Sequence, residues 1–275
     1  MSSAATLKEL EEQICDRFES LSKRLKQVGR YLLDNPEQVA FETVAVIAQN
    51  ADVPPSTLIR FARAFGYSGF NEMKVLFRTS LVEGTSDYKE RLKIYRELGE
   101  DNLDPQTPID MMRQFARANA EALENMITSI SEDNLKNAVD HLNDAGTIYV
   151  LAIGRSFNIA AYTFYALRHS GRQAVLIDGL GGMYKEHIDM VSKNDALIAI
   201  SFAPYAEQTI QCVKLAAKKG CKVISLTDSS VSPLTNISDV SFTVKEASVE
   251  GFRSQSSTLC IAQTLAVSLA GYKND

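Results

Sequence analysis

Residues 43–78 read TVAVIAQNADVPPSTLIRFARAFGYSGFNEMKVLFR, and this stretch decides how the first part of the chain folds. Val44, Ile47 and Ala48 recur at the three- and four-residue spacing of one helix face. Asp52-Val53-Pro54 ends that pattern, because proline cannot continue a helix and pushes its predecessor toward extended backbone. Pro55 suits the first turn of a second helix, where a missing N–H costs nothing. Leu58, Phe61, Ala62 and Phe65 form that helix's expected buried side, and Gly66 stands where glycine closes a helix. Small Ala48 and Ala62 let the two helices approach closely. Two short helices around a tight turn make a helix-turn-helix.

In that motif the start of the second helix enters the DNA major groove. The sequence places Ser56, Thr57 and Arg60 outward there, with Arg63 one turn later. Arginine reads guanine edges through paired hydrogen bonds, and serine and threonine take bases or phosphates. Arg60, Arg63, Lys74 and Arg78 face a single acid, Glu72, within residues 55–78. Tyr67, Ser68 and the helix start after Gly69 are expected to brace the phosphate backbone, and Lys74 is counted with them as DNA-binding. The same periodicity also suits a plain pair of core helices with a solvated basic face.

The chain has 275 residues, 45% hydrophobic and 23% charged, with a formal net charge of −5. That length predicts two domains with a sizeable core. No apolar run approaches the ~20 residues that span a bilayer. The first residues show no signal peptide, so a cytoplasmic location without membrane contact is expected. The weakly acidic balance leaves DNA binding open, because the field at the docking face decides it, and predicts strong salt sensitivity. Cys15, Cys212, Cys221 and Cys260 form no C-x-x-C pair and are expected as reduced, buried thiols. With three histidines and no H-E-x-x-H spacing, neither a metal nor a cofactor is expected.

Residues 6–34 carry one helical period, from Leu7 through Ile14 and Leu25 to Leu32. Residues 1–80 therefore read as an all-helical domain. The polar stretch 81–107 reads as a linker, with a helical turn or two around Tyr88–Leu98. Helical periodicity resumes from 108 and breaks at Ser131, a good N-cap. After Gly146 the pattern changes. The apolar runs TIYVLAI, QAVLI, ALIAIS, KVISLT and VSFTV alternate with helical segments. This alternation predicts a mostly parallel sheet covered on both faces.

In such sheets ligands sit beyond the carboxyl ends of the strands. That rule selects the loops at 154–156, 178–184, 201–207 and 227–230. Gly154, Arg155 and Ser156 stand where a strand turns into a helix N-terminus, a natural anion cradle. No Walker or dinucleotide fingerprint accompanies them, and a tight turn with a cap would look the same.

Two stretches carry a resemblance to a known family. PSTLIRFARAFGYSGFNEMK resembles the helix-turn-helix of RpiR-family bacterial transcription regulators, with its T-x-x-R-F core and following G-[FY]-x-G-F. The order IYVLAIGRS, HSGRQAVLID, DALIAIS and GCKVISLTDSSVSPL resembles a SIS (sugar isomerase) domain. The resemblance covers nearly the whole chain. It implies an all-α helix-turn-helix domain (1–80) joined to an α/β SIS domain (108–275) with a mostly parallel five-stranded sheet and helices on both faces. It also implies a regulator of carbohydrate genes that binds double-stranded DNA at a pseudo-palindromic operator. A sugar-like effector and a homodimer or homotetramer belong to the same expectation.

One departure bears on the effector. Phosphosugar-binding SIS domains usually read S-x-S-G-x-T after the third of these strands, and here the segment is Ser201-Phe-Ala-Pro-Tyr-Ala. Ala203, Pro204 and Ala206 remove hydroxyls and a backbone N–H, and Glu207 adds a negative charge. A phosphate meets fewer donors there, which favours a free polyol, keto-sugar or sugar acid. The expected effector residues are Gly154, Arg155, Ser156, Ser201, Tyr205, Glu207 and Glu250. Two other readings stand beside this one. A sugar-phosphate isomerase-like enzyme would use Glu186, His187 or Glu250 as acid or base, and a SIS module could serve oligomerisation alone.

Overall fold

The computed structural model describes residue 4 and residues 6–84, 88–97 and 107–271. The chain divides into two compact units, Met1–Asp104 and Pro105–Asp275.

The first unit is helical. Its elements are α1 (Leu7–Arg17), α2 (Lys23–Asp34), α3 (Pro36–Phe41), α4 (Val44–Asn50), α5 (Pro55–Ala64), α6 (Phe70–Gly84) and α7 (Tyr88–Glu97). The period over 6–34 belongs to two helices rather than one. A 3-10 turn at Phe18–Ser20 and extended Leu21 separate them, and α2 restarts after Ser22. The separation lets both faces reach one core: Leu10 and Ile14 from α1 meet Val28 and Leu32 from α2. The helical turns expected around Tyr88–Leu98 in the stretch 81–107 are α7, which buries Ile94 in this core rather than standing free of it. The rest of the stretch, 85–87 and 98–106, lies outside the described residues.

The turn between α4 and α5 follows its sequence signals. Thr43 caps α4 by accepting from the Val46 N–H. Asp52 takes a left-handed φ of 53°, and the Val53 N–H reaches back to the Ala48 carbonyl at 2.9 Å. Pro55 opens α5, and Gly66, at φ 89°, closes it with the Tyr67 N–H on the Ala62 carbonyl.

Tyr67 then folds back into the unit and donates its hydroxyl to the Ala4 carbonyl at 2.9 Å. Burial, with Glu72 and Glu9 nearby, pushes its phenol up to about 12. An unfolded tyrosine titrates near ~10. The folded state therefore holds this proton more tightly. The resulting stability is present below pH ~10 and is lost as pH rises toward about 12. Urea midpoints between pH 9 and 12 should fall more steeply for the unaltered protein than for Tyr67→Phe, whose phenylalanine cannot titrate.

The second unit begins with α8 (Pro108–Ser129) and α9 (Glu132–Asp144), the latter capped by Ser131 accepting from the Asn134 N–H. Five strands follow: β1 (Ile148–Ala152), β2 (Ala174–Ile177), β3 (Ala196–Ile200), β4 (Lys222–Thr227) and β5 (Val240–Thr243). Between them run α10 (Phe157–His169), α11 (Tyr184–Asp189) and α12 (Glu207–Lys218). A short hairpin, β6 (Ser248–Val249) and β7 (Phe252–Arg253), precedes α13 (Ser256–Gly271). The sheet order is β2-β1-β3-β4-β5 and every pair is parallel. Every residue of β1 and β3 is buried, as continuous apolar strands covered on both faces require. Ile148, Val150 and Ile198 join one core with α9, α10 and α13, while Tyr149, Leu151 and Leu197 join another with α11 and α12.

Candidate DNA-reading face and effector site

On α5 the exposed residues after Pro55 are Ser56, Ile59, Arg60 and Arg63. Arg60 donates from Nη2 to the Thr57 hydroxyl at 3.3 Å, which steadies the guanidinium on that face. Ile59 was absent from the sequence reading, and its 42% exposure offers an apolar contact of the kind a thymine methyl accepts.

Three expected contacts turn inward. Thr57 is fully buried, because it sits four residues before Phe61 and beside Leu58 on the packed side. Tyr67 is spent on the Ala4 carbonyl. Lys74 follows Met73 on the core face of α6, and its ammonium is donated to the Glu42 carbonyl just beyond α3. Burial, with Arg78 close by, lowers its pKa. Ser68 stays exposed, but its N–H and hydroxyl both go to the Glu72 carboxylate, at 2.6 and 2.7 Å. Arg78 donates to the Ala40 carbonyl at 3.2 Å. The basic residues left facing outward from the motif are Arg60 and Arg63.

In the second unit the strand order reverses direction between β1 and β3, the switch point where open sheets of this order bind ligands. The loop after β1 holds Gly154 at φ 62°, then Arg155 and buried Ser156 at the start of α10. Gln255, next to α13, donates to the Arg155 carbonyl at 2.5 Å and accepts from Asn158 at 2.6 Å. The loop after β3 begins with buried Ser201 and ends at α12. Arg253 of β7 lies 4.4 Å over the Phe202 ring and donates to the Ala203 carbonyl at 3.4 Å.

Asp228, one residue past β4, was not singled out from sequence. Its Oδ2 accepts from the Ala203 N–H at 3.1 Å, and its Oδ1 from the Tyr205 hydroxyl at 2.8 Å. Burial, with Asp228 beside it, raises the Tyr205 pKa. The signal available in sequence was an acid at the end of the strand that neighbours β3.

Glu207 is exposed and accepts from Gln211 on its own helix. Glu250 occupies the tight β6–β7 turn at φ 46°, is 6% exposed and has an unpartnered Oε2. Glu186 and His187 sit on α11, where Glu186 is exposed and the His187 Nδ1 is buried without a partner. In the loop before α11, Gly179 has φ 67°, and a Cβ there would lie 2.0 Å from the Tyr184 ring. All four cysteines are free, but Cys15 is exposed and Cys260 half-buried, so only Cys212 and Cys221 are buried as expected.

Two family profiles match this arrangement. The helix-turn-helix domain of the rpiR family matches residues 8–84, and the SIS domain matches residues 141–271. The chain belongs to the RpiR family of transcriptional regulators. An RpiR-type reader and a sugar-type effector domain on one chain make it a DNA-binding transcriptional regulator. The regulator HexR of Pseudomonas aeruginosa is 27% identical over 237 residues, covering 84% of this chain and 77% of that protein. Among solved structures, the fold resembles Vibrio vulnificus NanR complexed with ManNAc-6P, with a TM-score of 0.56 at 22% identity over 95% of this chain and 90% of that one. It also resembles the sugar isomerase domain of an RpiR transcription factor from Sphaerobacter thermophilus, with a TM-score of 0.57 at 22% identity over 59% of this chain and 90% of that one. Among the described residues, no helix of this RpiR-family chain is long and apolar enough to cross a membrane.

Proposed function

We propose that the chain is a cytoplasmic, non-enzymatic regulator of carbohydrate genes. In this reading α5 reads a pseudo-palindromic operator through Ser56, Ile59, Arg60 and Arg63, and a sugar-like effector at the β1/β3 switch point changes operator affinity. The observation that carries it is the sorting of cations on the helix-turn-helix. Arg60 and Arg63 face outward from α5, while Lys74 and Arg78 are tied to carbonyls of the unit itself. That leaves a compact arginine reader on a chain whose net charge is −5.

A homo-oligomer fits the second unit. Phe157, Tyr162 and Tyr165 on α10 and Val267 on α13 are exposed large hydrophobic side chains. The two helices are tied by Gln263 donating to the Tyr162 hydroxyl at 3.2 Å. A second copy covering this face would supply the two readers that a palindrome requires.

The test is selection of bound sequences from random duplex DNA, followed by footprinting with a panel of sugars, polyols and sugar phosphates. The expected result is a site with two inverted half-sites ~34 Å apart, and a panel member that shifts its affinity. A protein that enriches no sequence would overturn the reading.

A further inference from the structure

We infer that Asp228 is a built-in anion that closes the cradle after β3 to phosphate, so that the effector is a neutral polyhydroxyl compound, a free sugar or polyol. This rests on the reading of the switch point as the effector site and names the class of compound it takes.

The argument starts from the donors of the loop. A phosphate at a strand end needs N–H and hydroxyl groups that converge on it. Here Ala203, Pro204 and Ala206 bring no hydroxyl, and Pro204 brings no N–H. The Ala203 N–H and the Tyr205 hydroxyl are both taken by Asp228. The single hydroxyl hydrogen of Thr227 lies between the Ser232 hydroxyl at 2.8 Å and the same carboxylate at 3.3 Å. The carboxylate thus receives the hydrogen bonds that a phosphate oxygen would need.

Charge points the same way. A phosphate dianion entering this loop meets Asp228, bonded to it from the end of β4, and Glu207 at the first turn of α12. The cation held against the loop is Arg253, engaged with the Phe202 ring and the Ala203 carbonyl. Arg155 stands across the switch point on the loop after β1. Like charges a few ångströms apart in a partly buried site repel strongly. A neutral ligand meets no such penalty, and its hydroxyls can donate to the remaining lone pairs of Asp228.

Binding of inorganic phosphate to the full chain, followed by 31P line broadening, tests this without knowing the effector. Asp228→Asn keeps the shape and one acceptor and removes the charge. It should bind phosphate at least about tenfold more tightly than the unaltered protein, since one unit charge at short range is worth that much even when screened. Tyr205→Phe keeps the charge and should leave phosphate binding weak. Equal phosphate affinity in the unaltered protein and Asp228→Asn overturns the inference, and circular dichroism establishes that both variants are folded.

Calorimetry of the unaltered protein needs no variant. Fructose, glucitol and N-acetylmannosamine would each be compared with the 6-phosphate. At least one free compound should bind more tightly than its ester. An ester that outbinds its parent sinks the role of Asp228 while leaving the effector site standing. A protein indifferent to every free compound and ester sinks the effector site and the inference with it.

Discussion

Operator affinity falls about 10- to 100-fold when Arg60 is replaced by alanine, and discrimination at the base pair it faces relaxes. The size follows from the paired hydrogen bonds an arginine makes to guanine, worth ~1–3 kcal/mol against the wrong base. Arg60 has the geometry for that contact, because Thr57 steadies its guanidinium on the exposed face of α5. Nothing in the fold depends on its charge, so thermal stability should change little. Thr57→Val should remove the steadying bond and cost less affinity than Arg60→Ala. Equilibrium binding to the selected operator and to a scrambled duplex, at fixed salt, separates these effects. An Arg60→Ala protein with unaltered specificity would remove Arg60 from the reading set.

Phe61→Ala should produce the largest stability loss in the first unit, about 3–5 kcal/mol. Phe61 is fully buried and its ring stands 4.7 Å from that of Phe65. It also closes on α2 at Gly29, where a Cβ would lie 3.4 Å from the Phe61 ring and 3.3 Å from Ile14. The cavity left by alanine would therefore open at the junction of α1, α2 and α5. The cores of the second unit are made of its own residues. Calorimetric scanning should show the transition of the first unit moving down, while that of the second stays in place. A single unmoved melting profile would mean that α5 is not the keystone of the helical unit. Phe61→Ala and Arg60→Ala together distinguish loss of the reader's fold from loss of its contact.

The fold was largely legible because its signals are local. Pro55, Gly66 and the apolar spacing of α4 and α5 each act within a few residues. The five strands announce themselves as apolar runs because both faces of the sheet are covered. The helical turns around Tyr88–Leu98 were legible as α7, but its packing was not, because its tie to the core is Ile94 within a charged stretch, a long-range contact that composition hides. The break between α1 and α2 escaped because the apolar period runs straight through it. For the site, Thr57 shares the face of Phe61 and could have been assigned inward from spacing. Lys74 could not, since its destination is a carbonyl 32 positions away. Asp228 was equally hidden, because its partners at Ala203 and Tyr205 are neighbours only once β3 and β4 lie side by side.

The enclosed strands have a consequence for engineering. β1 and β3 spend every side chain on the two cores, whereas the groups proposed to meet a ligand stand on the loops after β3 and β4. Substitutions at Ala203, Tyr205 and Asp228 can therefore be combined without repacking the scaffold beneath them. A reporter cell carrying the selected operator would turn such a library into a source of sensors for new small molecules, with the scaffold as a fixed chassis.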